Sequence, residues 1–238
     1  MAPKVSIIIP FYNDPYIGQA IQSALNQTYA NTEIIVVDDG STRNQHLIAP
    51  YLGRINYLGK ANAGTASALN YGIRMASGKY VAWLSSDDLF YPEKIARQTG
   101  FMESVNAQIS HTDYHVINEH NAVTQHAAAL KYPSAAAFIG ALRYGCPVNG
   151  CTVMMTKQIV EAVGYFNESL PYTHDYDLWI RMVLSRVDFY YINEPLTAYR
   201  RHTQMGTVQH FDTIMGEAGV VNRAYAAALN ALLAQLPG

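Results

Sequence analysis

Runs of strand-forming residues alternate with helically spaced apolar residues through the first half of the chain. That alternation restricts the fold more than any other feature. "KVSIIIP", "EIIVVDDGST", "INYLGK" and "KYVAWLSS" read as strands. Between them, "PYIGQAIQSALNQT" sets Ile17, Ala20, Ile21, Ala24 and Leu25 at helical spacing, "HLIAPYL" reads as a short helix and "GTASALNYGIRMAS" as a longer one. Strand–helix–strand order predicts a parallel sheet with crossover helices, and near-continuous apolar strands predict helices on both faces. The second half is less regular. It reads as a helix "PEKIARQTGFMESV" with Pro92 in its first position, a strand "AQISHTDYHVIN", an excursion "NAVTQHAAALKYP", a strand "CTVMMT" and a helix "KQIVEAVG". "YFNESLPYTHDYDLWIRMVLS" then runs from loop into helix, "FYYINEPLTAYRRH" returns as a strand, and the tail is a long Ala-rich helix. Residues 118–150 carry no informative pattern.

Ligands bind such sheets beyond the carboxyl ends of the strands. Three strands here deliver polar or acidic groups to that edge: Pro10–Asp14, Asp38–Ser41 and Ser86–Asp88. Asp87 and Asp88 suit a solvated turn, a helix N-cap pair, or a site where Mg²⁺ or Mn²⁺ removes their repulsion. Asp38 and Asp39 open "DDGST", which is good turn chemistry and also a place for a carboxylate to accept from a ribose hydroxyl or a base N–H. Tyr12 either packs at the core edge or stacks on a base. In "THDYDLWIRM", one of Asp175 and Asp177 suits an N-cap, Arg181 can pair with either, and Asp175 suits a general base if it faces the acidic edge. Arg200, Arg201 and His202 of "YRRH" read as a phosphate or metal contact, or as ordinary strand-end surface.

Composition removes several classes of function. Half of the residues are hydrophobic and only 14% are charged, so a large core is expected rather than disorder. A net charge of −2 supplies no basic field for nucleic acid. Cys146 and Cys151 form neither a disulfide framework nor a zinc set, and read as reduced thiols. "MAPKVSIIIP" is not a signal peptide and no apolar run spans a bilayer, so a cytoplasmic protein with room for peripheral membrane contact is expected. A dinucleotide oxidoreductase would carry G-x-G-x-x-G after the first strand, which is missing.

Four segments in order, "VSIIIPFYNDPYIGQAIQSALNQTYANTEIIVVDDGST", "NAGTASALNYGIRMASGKYVAWLSSDDLFYPEKI", "VGYFNESLPYTHDYDLWIRM" and "EPLTAYRRH", resemble the family-two inverting glycosyltransferases of GT-A fold. The resemblance covers residues 4–202. It implies a single α/β, Rossmann-like GT-A domain over residues 1–205, with a nucleotide-binding half (1–115), an acceptor and catalytic half (116–205), and a helical extension over 206–238. It also implies a nucleotide-sugar donor, with UDP as the expected nucleotide, a glycan or lipid-linked acceptor in polysaccharide synthesis, and Mn²⁺ or Mg²⁺. Carried over by position, Pro10, Tyr12 and Asp14 line the nucleotide pocket, with Tyr12 against the base. Asp39 reads the pyrimidine edge with Asp38 beside it. Asp87 faces the ribose, Asp88 ligates the metal, Asp175 is the base, and His202 adds a metal or diphosphate contact. Two positions depart from the family pattern. Ser85 stands where many members have a further Asp, and His174 where Glu is commoner. A non-catalytic sugar-nucleotide-binding relative and a nucleotidyltransferase are the rival readings, although the latter would need a Gly-rich basic loop that "PFYNDPYIG" does not provide.

Overall fold

The computed structural model describes residues 2–236; Met1 and residues 237–238 of the expected extension lie outside the described residues. The expected strands form as β1 (Val5–Phe11), β2 (Thr32–Asp38), β3 (Asn56–Gly59) and β4 (Tyr80–Trp83). They are joined to short β5 (Leu89–Phe90), then β6 (Ile109–Ile117), β7 (Val123–Gln125), β8 (Met154–Thr156) and β9 (Phe189–Arg200). One sheet holds them in the order β3-β2-β1-β4-β8-β6-β9-β5, with β7 paired to the side of β6. β1 pairs in parallel with β2 and β4, as β2 does with β3 and β6 with β9, while β8 inserts antiparallel between β4 and β6. The sheet is therefore mostly parallel, and the carboxyl ends of β1, β2, β4 and β9 share one edge.

Successive residues of β1 point to opposite faces, which explains its unbroken hydrophobicity. Ile7 and Ile9 enter the core with Ile17, Ala20 and Ile21 of α1 (Ile17–Leu25) and Ile95 and Met102 of α3 (Lys94–Val105). Ile8 enters the opposite core with Leu69 and Ile73 of α2 (Thr65–Met75). That second core also receives Phe138 of α4 (Ala135–Ala141), Val160 of α5 (Lys157–Ala162) and Trp179 of α6 (His174–Leu184). After the short α7 (Gly206–Gln209), α8 (Phe211–Leu233) adds Val221, Leu229 and Leu232 to the same cluster. One face of the tail helix is thus part of the core.

Local chemistry explains where the elements depart from expectation. Residues 45–51 make two 3₁₀ turns, Gln45–Leu47 and Ala49–Tyr51, because Pro50 offers no N–H to continue an α-helix. Pro92 stands before the Glu93 N-cap of α3 rather than in its first turn. "CTVMMT" divides into a 3₁₀ turn, Gly150–Thr152, and β8. Gly150 is required there, since a Cβ would lie 2.1 Å from the Trp83 ring. β5, β7 and α4 had no legible signal: two of them are strands of two or three residues, and α4 is a seven-residue Ala-rich helix capped by Ser134.

Gly72 sets how closely α2 docks on the sheet, as a Cβ there would sit 2.5 Å from Ile8 Cγ2 and 3.2 Å from Val37 Cγ2. Ala is favoured over Gly in a helix by about 1 kcal/mol, but overpacking a core costs roughly 1–3 kcal/mol. Gly72→Ala should therefore lower the urea midpoint. A midpoint at or above the wild-type value would contradict this close docking.

Candidate active site

A cleft of about 740 Å³ opens where the parallel strands end. Pro10, Tyr12 and Asp14 reach it from β1, Asp39 from β2, and Asp87 from β4. Asp175 arrives from the start of α6 and His202 from the end of β9. The structure thus gathers seven of the nine sequence-predicted residues around one space. Asp38 and Asp88 are placed elsewhere.

Each adjacent acidic pair divides its two carboxylates. Asp38 is buried and accepts from Ser41 N (2.7 Å), Gln45 Nε2 (2.7 Å) and the Tyr57 hydroxyl, organising the turn that follows β2. Burial alone would raise its pKa, but these donors outweigh that and hold it below the usual value. Asp39 is also buried but borders the cleft, oriented by Lys60 Nζ (2.5 Å), Gly64 N (2.7 Å) and Ala63 N (3.0 Å). Asn13, in the left-handed region at φ 55°, ties the loops after β1 and β2 together, its Oδ1 accepting from Thr42 N and Arg43 N at 2.8 Å each.

The second pair divides in the same way. Asp88 is 1% exposed, and its Oδ1 accepts from the main-chain N–H of Arg200 at 2.7 Å. Burial, then the charge of Asp87, hold its carboxyl well above the usual range. Asp87 instead borders the cleft, with its Oδ2 at 3.1 Å from His202 Nε2. That contact, opposed by partial burial, raises the His202 pKa. Asp14 accepts from Tyr16 N (2.6 Å) and from Ser86 Oγ (3.1 Å). Burial, and then repulsion by Asp87, push its pKa to about 6.

Arg200, read from the sequence as a phosphate contact, is fully buried. Its guanidinium donates to Asp87 O (2.7 Å), Asn118 O (3.0 Å), Asn121 Oδ1 (2.7 Å) and Gln19 Oε1 (3.1 Å), and it lies 4.2 Å from the Tyr16 ring centroid. It is a strut behind the cleft.

At α6 the two first-turn acids also separate. Asp177 is occupied by Arg181 (2.8 Å to Nε) and by the Tyr225 hydroxyl (2.9 Å). Asp175 faces the cleft, Oδ1 accepting from Tyr176 N (2.7 Å) and Oδ2 lying 3.8 Å from the Cys146 thiol. Burial raises its pKa, with His174 and the Tyr176 N–H offsetting part of that rise. Cys146 and Cys151 are both free thiols. Glu217 of α8, which the sequence reading missed, accepts from Tyr172 N (3.1 Å), Thr173 N (3.0 Å) and Thr173 Oγ1 (2.9 Å), fixing the turn that enters α6. A lone Glu on an Ala-rich helix gives no local sign of a partner 45 residues away.

Among the described residues no cluster of three or more His, Cys, Asp or Glu side chains is arranged to hold a metal. The donors that do converge are the Asp87 carboxylate and the His202 imidazole, beside an Asp14 whose pKa is raised by burial first and by the Asp87 charge second.

Because three donors share one Glu217 oxygen, Glu217→Ala should lower stability by roughly 1–3 kcal/mol and speed amide exchange over residues 172–175. Wild-type melting and exchange in that variant would contradict the buttressing role of α8.

A family model described as "Glycosyl transferase family 2" matches residues 6–162. An uncharacterized glycosyltransferase of Rickettsia typhi is 38% identical over 221 residues, covering 87% of this chain and 66% of that protein. A Rickettsia felis relative at 36% identity covers 86% of this chain and 35% of its own length, so the chain spans between a third and two thirds of these relatives. The Escherichia coli UDP-Glc:alpha-D-GlcNAc-diphosphoundecaprenol beta-1,3-glucosyltransferase WfaP is 30% identical, covering 91% of this chain and 85% of that protein. Among solved structures, Staphylococcus aureus TarS residues 1–349 in complex with UDP-GlcNAc superposes with a TM-score of 0.73 over 97% of this chain and 71% of that one. At 19% identity that match speaks for the fold. Motifs, architecture and family match agree, and the chain belongs to glycosyl transferase family 2.

Proposed function

We propose that this chain is an inverting glycosyltransferase that moves a sugar from a UDP-sugar to a hydroxyl of a glycan or lipid-linked acceptor. One observation carries the reading: Asp175, a carboxylate with raised proton affinity, borders the same cleft as Asp39, Asp87 and His202. The exposed Tyr12 ring offers a stacking face for the base, and the fixed Asp39 carboxylate suits its N–H edge. Asp175 takes the acceptor hydroxyl proton as that oxygen attacks the anomeric carbon, and a single displacement inverts its configuration. Its burial favours this, because a base of raised pKa takes up a proton more readily near neutrality.

The Asp87 carboxylate fits Mn²⁺ or Mg²⁺, which are held by one or two carboxylates and completed by substrate phosphates, and the His202 imidazole beside it favours Mn²⁺ over the harder Mg²⁺. Such an ion supplies positive charge to the departing nucleoside diphosphate. In this reading Asp87, with His202, takes the metal role that the family resemblance gave to Asp88, whose Oδ1 is bonded to β9 and whose Oδ2, though without a hydrogen-bond partner, is buried and off the cleft lining. The acceptor class follows the Escherichia coli relatives, whose names specify a diphosphoundecaprenol-linked acceptor. A lipid-linked acceptor implies polysaccharide synthesis at the cytoplasmic surface of a membrane. No helix among the described residues is long and apolar enough to cross one.

Asp175→Asn should reduce transfer by about a thousandfold while leaving UDP affinity unchanged. In the wild type, kcat/KM should rise with pH through a pKa above the usual aspartate range, since only ionised Asp175 accepts the proton and burial shifts that ionisation upward. Retained transfer in the Asn variant would refute the assignment of the base, and UDP-sugar turnover with retention of configuration would refute the mechanism.

A further inference from the structure

Buried polar atoms without a hydrogen-bond partner are costly, and where they border a cleft they mark what the cleft is built to receive. Trp83 Nε1 and both ring nitrogens of His174 are such atoms, and both residues line the cleft. His174 is 5% exposed. The carbonyls of Leu170 and Pro171 lie near enough to favour its charged form, yet neither makes a hydrogen bond to it. Its ring centroid is 5.7 Å from that of Trp83, and both rings pack edgewise on Phe166 at 5.5 and 5.9 Å. Gly150 underlies the Trp83 ring.

Position in the cleft decides what these groups meet. Trp83 lies on β4, four residues before Asp87, and His174 immediately precedes Asp175. If Asp87 marks the diphosphate end and Asp175 the attacking hydroxyl, the transferred sugar lies between them, over Trp83 and His174. This step rests on the glycosyltransferase reading above. Burial lowers the pKa of the imidazole, and its neutral form offers one donor and one acceptor, while the indole N–H only donates. A pyranose hydroxyl both accepts and donates, and so fits the pair.

We infer that Trp83 and His174 form a neutral subsite that recognises a hydroxyl of an uncharged hexopyranosyl group on the donor. The nitrogens, the indole N–H included, are closed to water in the ligand-free arrangement, so the contact forms as both rings shift when the sugar seats. The subsite contains no cation for a carboxylate, so a uronosyl donor is disfavoured.

The test uses UDP-glucose, UDP-galactose, UDP-N-acetylglucosamine and UDP-glucuronic acid, together with UDP alone. Affinity is measured by titration, and kcat and KM by turnover, for the wild type, His174→Phe, His174→Gln and Trp83→Phe, with melting followed in parallel. The wild type should bind its best neutral donor more tightly than UDP-glucuronic acid. His174→Phe and Trp83→Phe should weaken kcat/KM for that donor by roughly tenfold to a hundredfold and flatten the preference between epimers, with UDP affinity unchanged. His174→Gln, which keeps a donor and an acceptor, should restore part of the loss and serves as the readout if the Phe variant fails to fold. Unaltered donor preference in the folded variants, or a loss confined to acceptor KM, overturns the inference while leaving the transferase reading intact. A wild type that binds UDP and turns over none of the four donors overturns both.

Discussion

The hydrogen bond from the Arg200 main-chain N–H to Asp88 joins positions 112 residues apart, and the geometry of the cleft depends on it. It fastens the loop after β4 to the end of β9. Arg200 then reinforces the join by donating to the Asp87 carbonyl and to Asn118, Asn121 and Gln19. With both strand ends fixed, His202 has little choice but to meet Asp87. A buried acid and a buried arginine thus serve as framework for two partly buried neighbours that border the cleft.

The same division recurs around the cleft. Asp38 closes β2 and Asp39 follows it, while Asp87 and Asp88 lie in the turn beyond β4, and in both pairs different partners take the two carboxylates. Asp38 builds a turn while Asp39 faces the cleft, and Asp88 holds β9 while Asp87 faces the cleft. At the start of α6, Asp177 is taken by Arg181 and Tyr225, leaving Asp175 to the cleft. In each case one acid of the motif is taken up by the framework and the other borders the cleft. The inward member stiffens the backbone that aims the outward one.

Much of this was legible in the residues, because apolar strands ending in acids are a local pattern. β1, β2 and β4, the helices between them, and the convergence of Tyr12, Asp39 and Asp87 follow from that pattern and from the sheet topology. What was not legible is which acid of each pair borders the cleft. That choice is made by distant partners, Tyr57 for Asp38 and the Arg200 N–H for Asp88, which local spacing does not reveal. Glu217 escaped for the same reason, and so did Arg200, whose position beside His202 resembles a phosphate contact until its burial is known. Residues 118–150 hid α4 and β7 because Ala-rich and exposed segments carry no hydrophobic period.

The two aspartates of "SSDD" are not equivalent, and the most direct measurement of this is UDP affinity with and without Mn²⁺ in Asp87→Asn and Asp88→Ala, alongside their melting temperatures. Asp87→Asn should keep wild-type stability and lose the Mn²⁺ enhancement of UDP binding. Asp88→Ala, which removes the acceptor of the Arg200 N–H, should melt earlier and, below its transition, still show the enhancement. An Asp88→Ala protein of full stability that has lost Mn²⁺-dependent binding, beside an Asp87→Asn protein that retains it, would overturn this division of roles.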